Sequence, residues 1–197
     1  MSDDVAAPHR DVPDWSTIPA PVDDGAVRHI KGRRLPPVQL LGTDWKIVDL
    51  SRLKGRTVVF IYPRTAPPDG SVPEGWDGIP GARGCTAQCL AFRDRIDELG
   101  ELGVHQLFGL STQDTRYQRE AAGRLELPFP LLSDAGLTFA KALRLPMMDV
   151  PGMALLRRMT LMIDDGTVKD VLYPVFPPDR SVDAVLDWLR ANPRPWP

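Results

Sequence analysis

Charge of one sign, long apolar runs, histidine and cysteine are all scarce in this chain, and each shortage removes a class of function. Lys and Arg number 24 against 26 Asp and Glu, a net charge of −2 with a pI near 5.9. No basic excess marks a nucleic-acid or polyanion surface. No apolar run approaches the ~20 residues of a membrane-spanning helix. The opening Met1-Ser2-Asp3-Asp4 is acidic and lacks the basic and apolar segments of a secretory leader. Two cysteines in 197 residues do not make a disulfide scaffold; their spacing suits a reducing compartment, and the expected location is the cytoplasm. What remains is ordinary for one globular domain with a substantial core: 43% hydrophobic and 25% charged residues. Proline is the exception, with 21 residues, several of them in the first part of the chain, in a central loop and at the end.

The two cysteines sit four residues apart, Cys85 and Cys89, and the chain is organised around them. Cys85, Cys89, Phe92, Ile96 and Leu99 step by four and three, so they share one face of an amphipathic helix. Arg93, Asp94, Arg95, Asp97, Glu98 and Glu101 take the other face. The helix is entered through Pro80-Gly81-Ala82-Arg83-Gly84. Upstream, Thr57-Val58-Val59-Phe60-Ile61-Tyr62 is an unbroken apolar run of buried-strand length. The thiols therefore stand at the start of a helix that follows a buried strand. Unpaired N–H groups and partial positive charge at a helix start favour thiolate, the nucleophilic form, most strongly in the first turn. Arg83 adds charge nearby. The plain alternative is a pair of small buried core residues.

Tyr62-Pro63, Gly84-Cys85-Thr86-x-Gln88 and Arg93-Asp94 resemble the peroxiredoxins, specifically the Q-type or bacterioferritin-comigratory branch. The resemblance continues through Phe108-Gly109-Leu110-Ser111-Thr112, Phe129-Pro130-Leu131-Leu132-Ser133-Asp134 and Arg158-Met159-Thr160-Leu161-Met162-Ile163-Asp164, covering roughly residues 35 to 190 in order. It implies a thiol-dependent peroxidase acting on hydrogen peroxide or organic hydroperoxides, with no cofactor and no metal. Cys85 would be the peroxidatic cysteine and Arg158 the arginine that holds peroxide and thiolate. Cys89 would resolve the sulfenic acid to an intramolecular disulfide, and thioredoxin or another dithiol would reduce it. Monomer and homodimer both fit.

Two positions depart from the family pattern Pro-x-x-x-Thr-x-x-Cys. Ala82 stands where the threonine belongs and Gly78 where the proline belongs. Thr65, after Pro63, is the candidate to fold back and supply the missing hydroxyl. Helix-borne resolving cysteines in this branch usually lie five residues on; Cys89 lies four on.

Residues 1–26, broken by Pro8, Pro13, Pro19 and Pro21, read as a loose arm in which Trp15 and Ile18 are the residues able to dock. Residues 27–192 form the domain, and 193–197 a proline-rich tail. Val38–Leu41 and Trp45–Val48 flank a hairpin turn, and Leu50–Leu53 fits one helical turn. Residues 64–83, with Trp76 at the centre, form an insertion long enough to be functional, and the expectation is that it walls the active site. Val104–Leu110 is a second core strand. Asp114 caps a helix bearing Tyr117, Ala121 and Leu125; Ser133 or Asp134 caps another through Leu137, Ala140 and Leu143. Met147, Met148 and Met153 read as core and rim filling. Asp165-Gly166 turns a hairpin, and Ser181 caps a last helix. Strand, helix, strand, helix, hairpin and closing helix give the α/β thioredoxin-like order, a mixed central sheet with helices on both faces.

Two other classes share features with the chain. A thioredoxin-type oxidoreductase carries Cys-x-x-Cys and a proline before the facing strand; here the spacing is longer and Arg157-Arg158 enters that strand. A Sco-type copper module uses Cys-x-x-x-Cys with a distant histidine, and two thiolates one turn apart can clamp a soft metal. The histidines here are His9, His29 and His105, none beyond residue 105.

Overall fold

The computed structural model describes residues 13–194. In chain order the elements are β1 (Gln39–Gly42), β2 (Ile47–Asp49), β3 (Arg56–Ile61), α1 (Cys85–Asp94), α2 (Ile96–Glu101), β4 (Val104–Ser111), α3 (Thr115–Arg124), β5 (Leu131–Ser133), α4 (Thr138–Leu143), β6 (Met147–Val150), β7 (Met153–Leu156), β8 (Met159–Asp164), β9 (Thr167–Leu172) and α5 (Ser181–Ala191). Seven strands make one sheet in the order β2-β1-β5-β4-β3-β8-β9. β3, β4 and β5 run parallel; β8 and β9 on one side and β1 and β2 on the other are antiparallel to their neighbours.

β3 is buried along its whole length, as its apolar run requires of a central strand covered on both faces. Successive side chains go to opposite faces. Val58, Phe60 and Tyr62 pack with Cys85, Cys89 and Phe92 of α1, Leu99 of α2 and Val182, Val185 and Leu186 of α5. Val59 and Ile61 pack on the other face with Phe139, Ala140 and Leu143 of α4 and with Val27 and Ile30. Phe60 stacks on Phe92 with ring centroids 4.4 Å apart, fixing α1 over the strand. The sheet is thus mixed, with helices on both faces, as in thioredoxin-like proteins.

Local signals set several boundaries. The Asp114 carboxylate accepts from Tyr117 N at 2.9 Å, and the Asp165-Gly166 turn has positive φ at both residues, the hairpin geometry that favours this dipeptide. Asp134 caps α4 from outside: its two oxygens accept from Phe139 N at 3.0 Å and Ala140 N at 2.8 Å.

Other expectations are corrected. The cysteine helix breaks at Arg95 into α1 and α2. Residues 50–52 form a turn rather than a helical turn. Ser181 is the first residue of α5, not its cap, and its buried hydroxyl has no partner. Met147, Met148 and Met153 do fill core and rim positions, but on a β6–β7 hairpin that the sequence did not reveal, with Met148, Val150 and Leu155 packed on Trp76 and Ala82 of the insertion. Residues 13–26 are laid on the domain rather than loose. Trp15 meets Phe176 edge to face at 5.9 Å, and Asp24 pairs with Arg157 at 2.6 Å. Residues 1–12 and 195–197 of the expected arm and tail lie outside the described residues.

Asp134 is 3% exposed, so its loss leaves two amides of α4 without acceptors. Asp134→Ala is expected to lower the unfolding free energy by about 2 kcal/mol in urea titration, and Asp134→Asn by less.

Candidate active site

β3 delivers the chain to the insertion, and the insertion returns it to α1. β8 lies antiparallel beside β3 with Met159 opposite Ile61. Arg158, one residue before β8, therefore stands next to the end of β3 where the insertion leaves and α1 begins. The sheet register brings Arg158 to the end of β3 beside which Cys85 lies, although 73 residues separate the two.

The Arg158 side chain is 2% exposed. Its Nη2 donates to Cys85 Sγ at 3.2 Å and faces the carbonyl oxygens of Gly81 at 3.2 Å, Ala82 at 3.3 Å and Arg83 at 3.0 Å. Its Nη1 donates to Gln88 Oε1. Among the described residues no carboxylate pairs with it. A buried cation must be compensated, and here backbone carbonyls, a side-chain amide and a sulfur do it. Gln88, on α1 three residues after Cys85, is fully buried; the motif contained it, but composition and spacing gave no reason to assign it a task.

Gly84 makes this arrangement possible. It caps α1 in a left-handed conformation, φ 96°, which favours glycine. A Cβ there would stand 2.6 Å from Trp15 Cη2 and 2.7 Å from Pro178 Cγ. With no side-chain acceptor at the cap, the first-turn amides of α1 remain available beside Cys85.

Cys85 opens into a pocket of about 120 Å³. Arg64, Ala66, Val72 and Trp76 of the insertion line it, so this segment forms a wall of the cysteine pocket. Trp76 is 4% exposed and anchors the wall on the β6–β7 hairpin. Cys89 is sealed beneath, wholly buried, and both sulfurs are free thiols. Burial, with Cys85 nearby, pushes the Cys89 thiol well above its ordinary value. Burial does the same to the Tyr62 phenol.

Thr65 does not reach the sulfur. Its hydroxyl and its amide both point to Gln113 Oε1, at 3.2 and 2.9 Å, and its carbonyl accepts from Tyr117 OH at 2.9 Å. The threonine is held against α3 and does not line the Cys85 pocket. The histidines are committed elsewhere: His29 Nε2 lies 2.9 Å from Leu143 O, and His105 Nδ1 accepts from Arg56 N at 3.2 Å; His9 lies outside the described residues. Among those residues no cluster of three or more His, Cys, Asp or Glu side chains could hold a metal, and no helix is long and apolar enough to cross a membrane.

A cysteine at a helix start, faced by a buried arginine on a thioredoxin-like sheet, defines a thiol-based redox site. The sequence profile of the redoxin family matches residues 30–186. The chloroplastic peroxiredoxin Q of Populus jackii is 31% identical over 163 residues, 82% of this chain and 68% of that protein. That of Sedum lineare is also 31% identical, over 82% of this chain and 78% of its own length. Peroxidoxin BcpB of Mycobacterium tuberculosis superposes with a TM-score of 0.66 at 29% identity, covering 82% of this chain and 97% of that one. A Xylella fastidiosa PrxQ mutant, 18% identical, shares the fold with a TM-score of 0.67 over 83% and 97% of the two chains. The chain belongs to the redoxin family, as a peroxiredoxin of the Q type. It is a cysteine-based peroxidase, which requires a peroxide and a thiol reductant.

Keeping Cys89 and Tyr62 protonated has a cost at high pH. The unfolded chain releases these protons near pH 9.0 and 10.0, while the folded chain retains them. Stability present below about pH 9 is therefore lost as pH rises. Urea melts of the reduced protein between about pH 8 and pH 10.5 should show this decline. Cys89→Ala and Tyr62→Phe should each flatten it, and a flat wild-type profile would contradict the burial assigned to both groups.

Proposed function

We propose that Cys85 is the peroxidatic thiol, Arg158 its partner in peroxide binding and Cys89 the resolving thiol. The observation that carries this reading is Arg158 Nη2, 3.2 Å from the Sγ of Cys85, a cysteine that lines an open pocket. The Cys85 thiolate attacks the distal oxygen of a hydroperoxide. The O–O bond breaks, the sulfur is oxidised to sulfenic acid, and the alkoxide or hydroxide leaves and takes a proton. Arg158 and the free amides of the first turn of α1 stabilise the negative charge that develops on the leaving oxygen. Cys89 then attacks the sulfenic sulfur; an S–S bond forms and water departs. A dithiol of thioredoxin type restores both thiols by exchange.

Ala82 provides no hydroxyl, and Thr65 is engaged by Gln113. Orientation of the peroxide therefore rests on Arg158, whose guanidinium is fixed by three carbonyls and Gln88. All these groups come from one chain, so the chemistry needs no second subunit, and a monomer or a homodimer suits it equally. Free thiols at this spacing suit the cytoplasm or another reducing compartment.

Intact mass and free-thiol counts after one equivalent of hydrogen peroxide test the roles. The wild type should lose both thiols, Cys89→Ser should gain one oxygen, and Cys85→Ser should remain unchanged. Rapid oxidation of the wild type with Cys89 still free would remove the resolving role from Cys89.

The disulfide has a geometric requirement. Side chains one helical turn apart have Cβ atoms about 5–6 Å apart, whereas a disulfide needs about 3.8 Å. The first turn of α1 must open. Hydrogen exchange of the amides at 85–89 should accelerate at least tenfold or so on oxidation, since the turn's hydrogen bonds are lost; unchanged protection would count against a Cys85–Cys89 bond.

A further inference from the structure

The Cys85 pocket contains a cation that the peroxidase chemistry does not use. Arg64 follows Tyr62-Pro63 at the end of β3 and lines the same pocket as Cys85. Its guanidinium lies over the Trp76 ring, 5.9 Å from the centroid, and its Nη1 is 3.9 Å from Met153 Sδ. Among the described residues no carboxylate meets it. Arg83, the other arginine on the rim, differs: its Nη1 is 2.5 Å from Asp77 Oδ1. No Asp or Glu of the described residues lines the pocket; Pro13, Ala66, Val72, Trp76 and Ala87 give it an apolar side, and Thr86 lines it beside Cys85. A planar guanidinium held against an aromatic face is pre-organised for a carboxylate, because little of its freedom remains to be lost.

From this arrangement, which rests on the peroxidase reading, we propose that Arg64 is a specificity residue. It selects organic hydroperoxides that carry a carboxylate a few atoms from the O–O bond. The pocket is small, with a volume of about 120 Å³. It admits the hydroperoxide group and a few carbons, with the carboxylate at the rim, and excludes a long acyl chain lying wholly within it. The reaction is unchanged: Cys85 takes the distal oxygen, and the hydroxy acid leaves with Arg64 still bound to its carboxylate.

The test compares 3-hydroperoxy-3-methylbutanoate with its methyl ester, two probes of similar shape that differ in charge, with dithiothreitol as reductant. In the wild type kcat/KM for the acid should exceed that for the ester by about tenfold or more, the worth of one charge-assisted hydrogen bond. The excess should appear mainly in KM and shrink as salt is raised. Arg64→Gln should bring the acid-to-ester ratio to about one, and Arg64→Lys should keep part of it. Equal rates for acid and ester in the wild type would overturn the proposal whether or not the variants fold. So would a ratio that Arg64→Gln leaves unchanged. Hydrogen peroxide, assayed in parallel, separates the two readings. Turnover of it with no acid preference removes only the role of Arg64, whereas inertness toward all three peroxides removes the peroxidase reading and this one together.

Discussion

A guanidinium buried without a carboxylate is the constraint on which the active end of this molecule depends. Leaving such a charge uncompensated in a protein interior costs several kcal/mol, so the surrounding chain must supply acceptors. It does so by presenting a row of carbonyls from residues 81–83, the amide oxygen of Gln88 and the sulfur of Cys85 to Arg158. The demand extends outward. The insertion must return along a path that turns these carbonyls inward. Gly84 must adopt a left-handed conformation to start α1 immediately afterwards. Trp15 and Pro178 close over the space that a side chain at Gly84 would need. The β3–β8 register, in turn, makes the position of Arg158 a property of the central sheet and not of a loop.

Within the same helix the two sulfurs are in opposite situations. Cys85 has a cation, a pocket and free amides. Cys89 has Phe60, Phe92 and the rest of the apolar layer, where a thiolate is strongly disfavoured. One thiol lines a pocket, while the other is kept wholly from the solvent. The stacked rings of Phe60 and Phe92 hold the body of α1 in place.

Much of the fold was legible because its signals are local. The buried strand at residues 57–62, the helix start at Cys85, the Asp114 and Asp134 caps and the Asp-Gly hairpin each depend on a few neighbouring residues. The site was legible unevenly. Cys85 is marked by its position at a helix start, but nothing near Arg158 in sequence announces its partner; only the family resemblance pointed to it. Thr65 misled because it sits beside Pro63, whereas its contacts are decided by Gln113 and Tyr117, some fifty residues away. Where Trp15 docks was not legible, because its neighbours Gly84 and Phe176 are remote in sequence. The β6–β7 hairpin escaped notice because methionines carry little strand signal; its stability comes from packing on Trp76.

Three of the contacts that hold Arg158 are main-chain carbonyls, and a carbonyl is the same whichever residue bears it. This makes the cradle tolerant of sequence drift: Ala82 can stand where relatives of this pattern have threonine without removing an acceptor from the arginine. The side chains of residues 81–83 can thereby differ without loss of these acceptors, as long as the path of the backbone is kept. What Arg158 requires of this segment is a shape, and the identities of its side chains are left open.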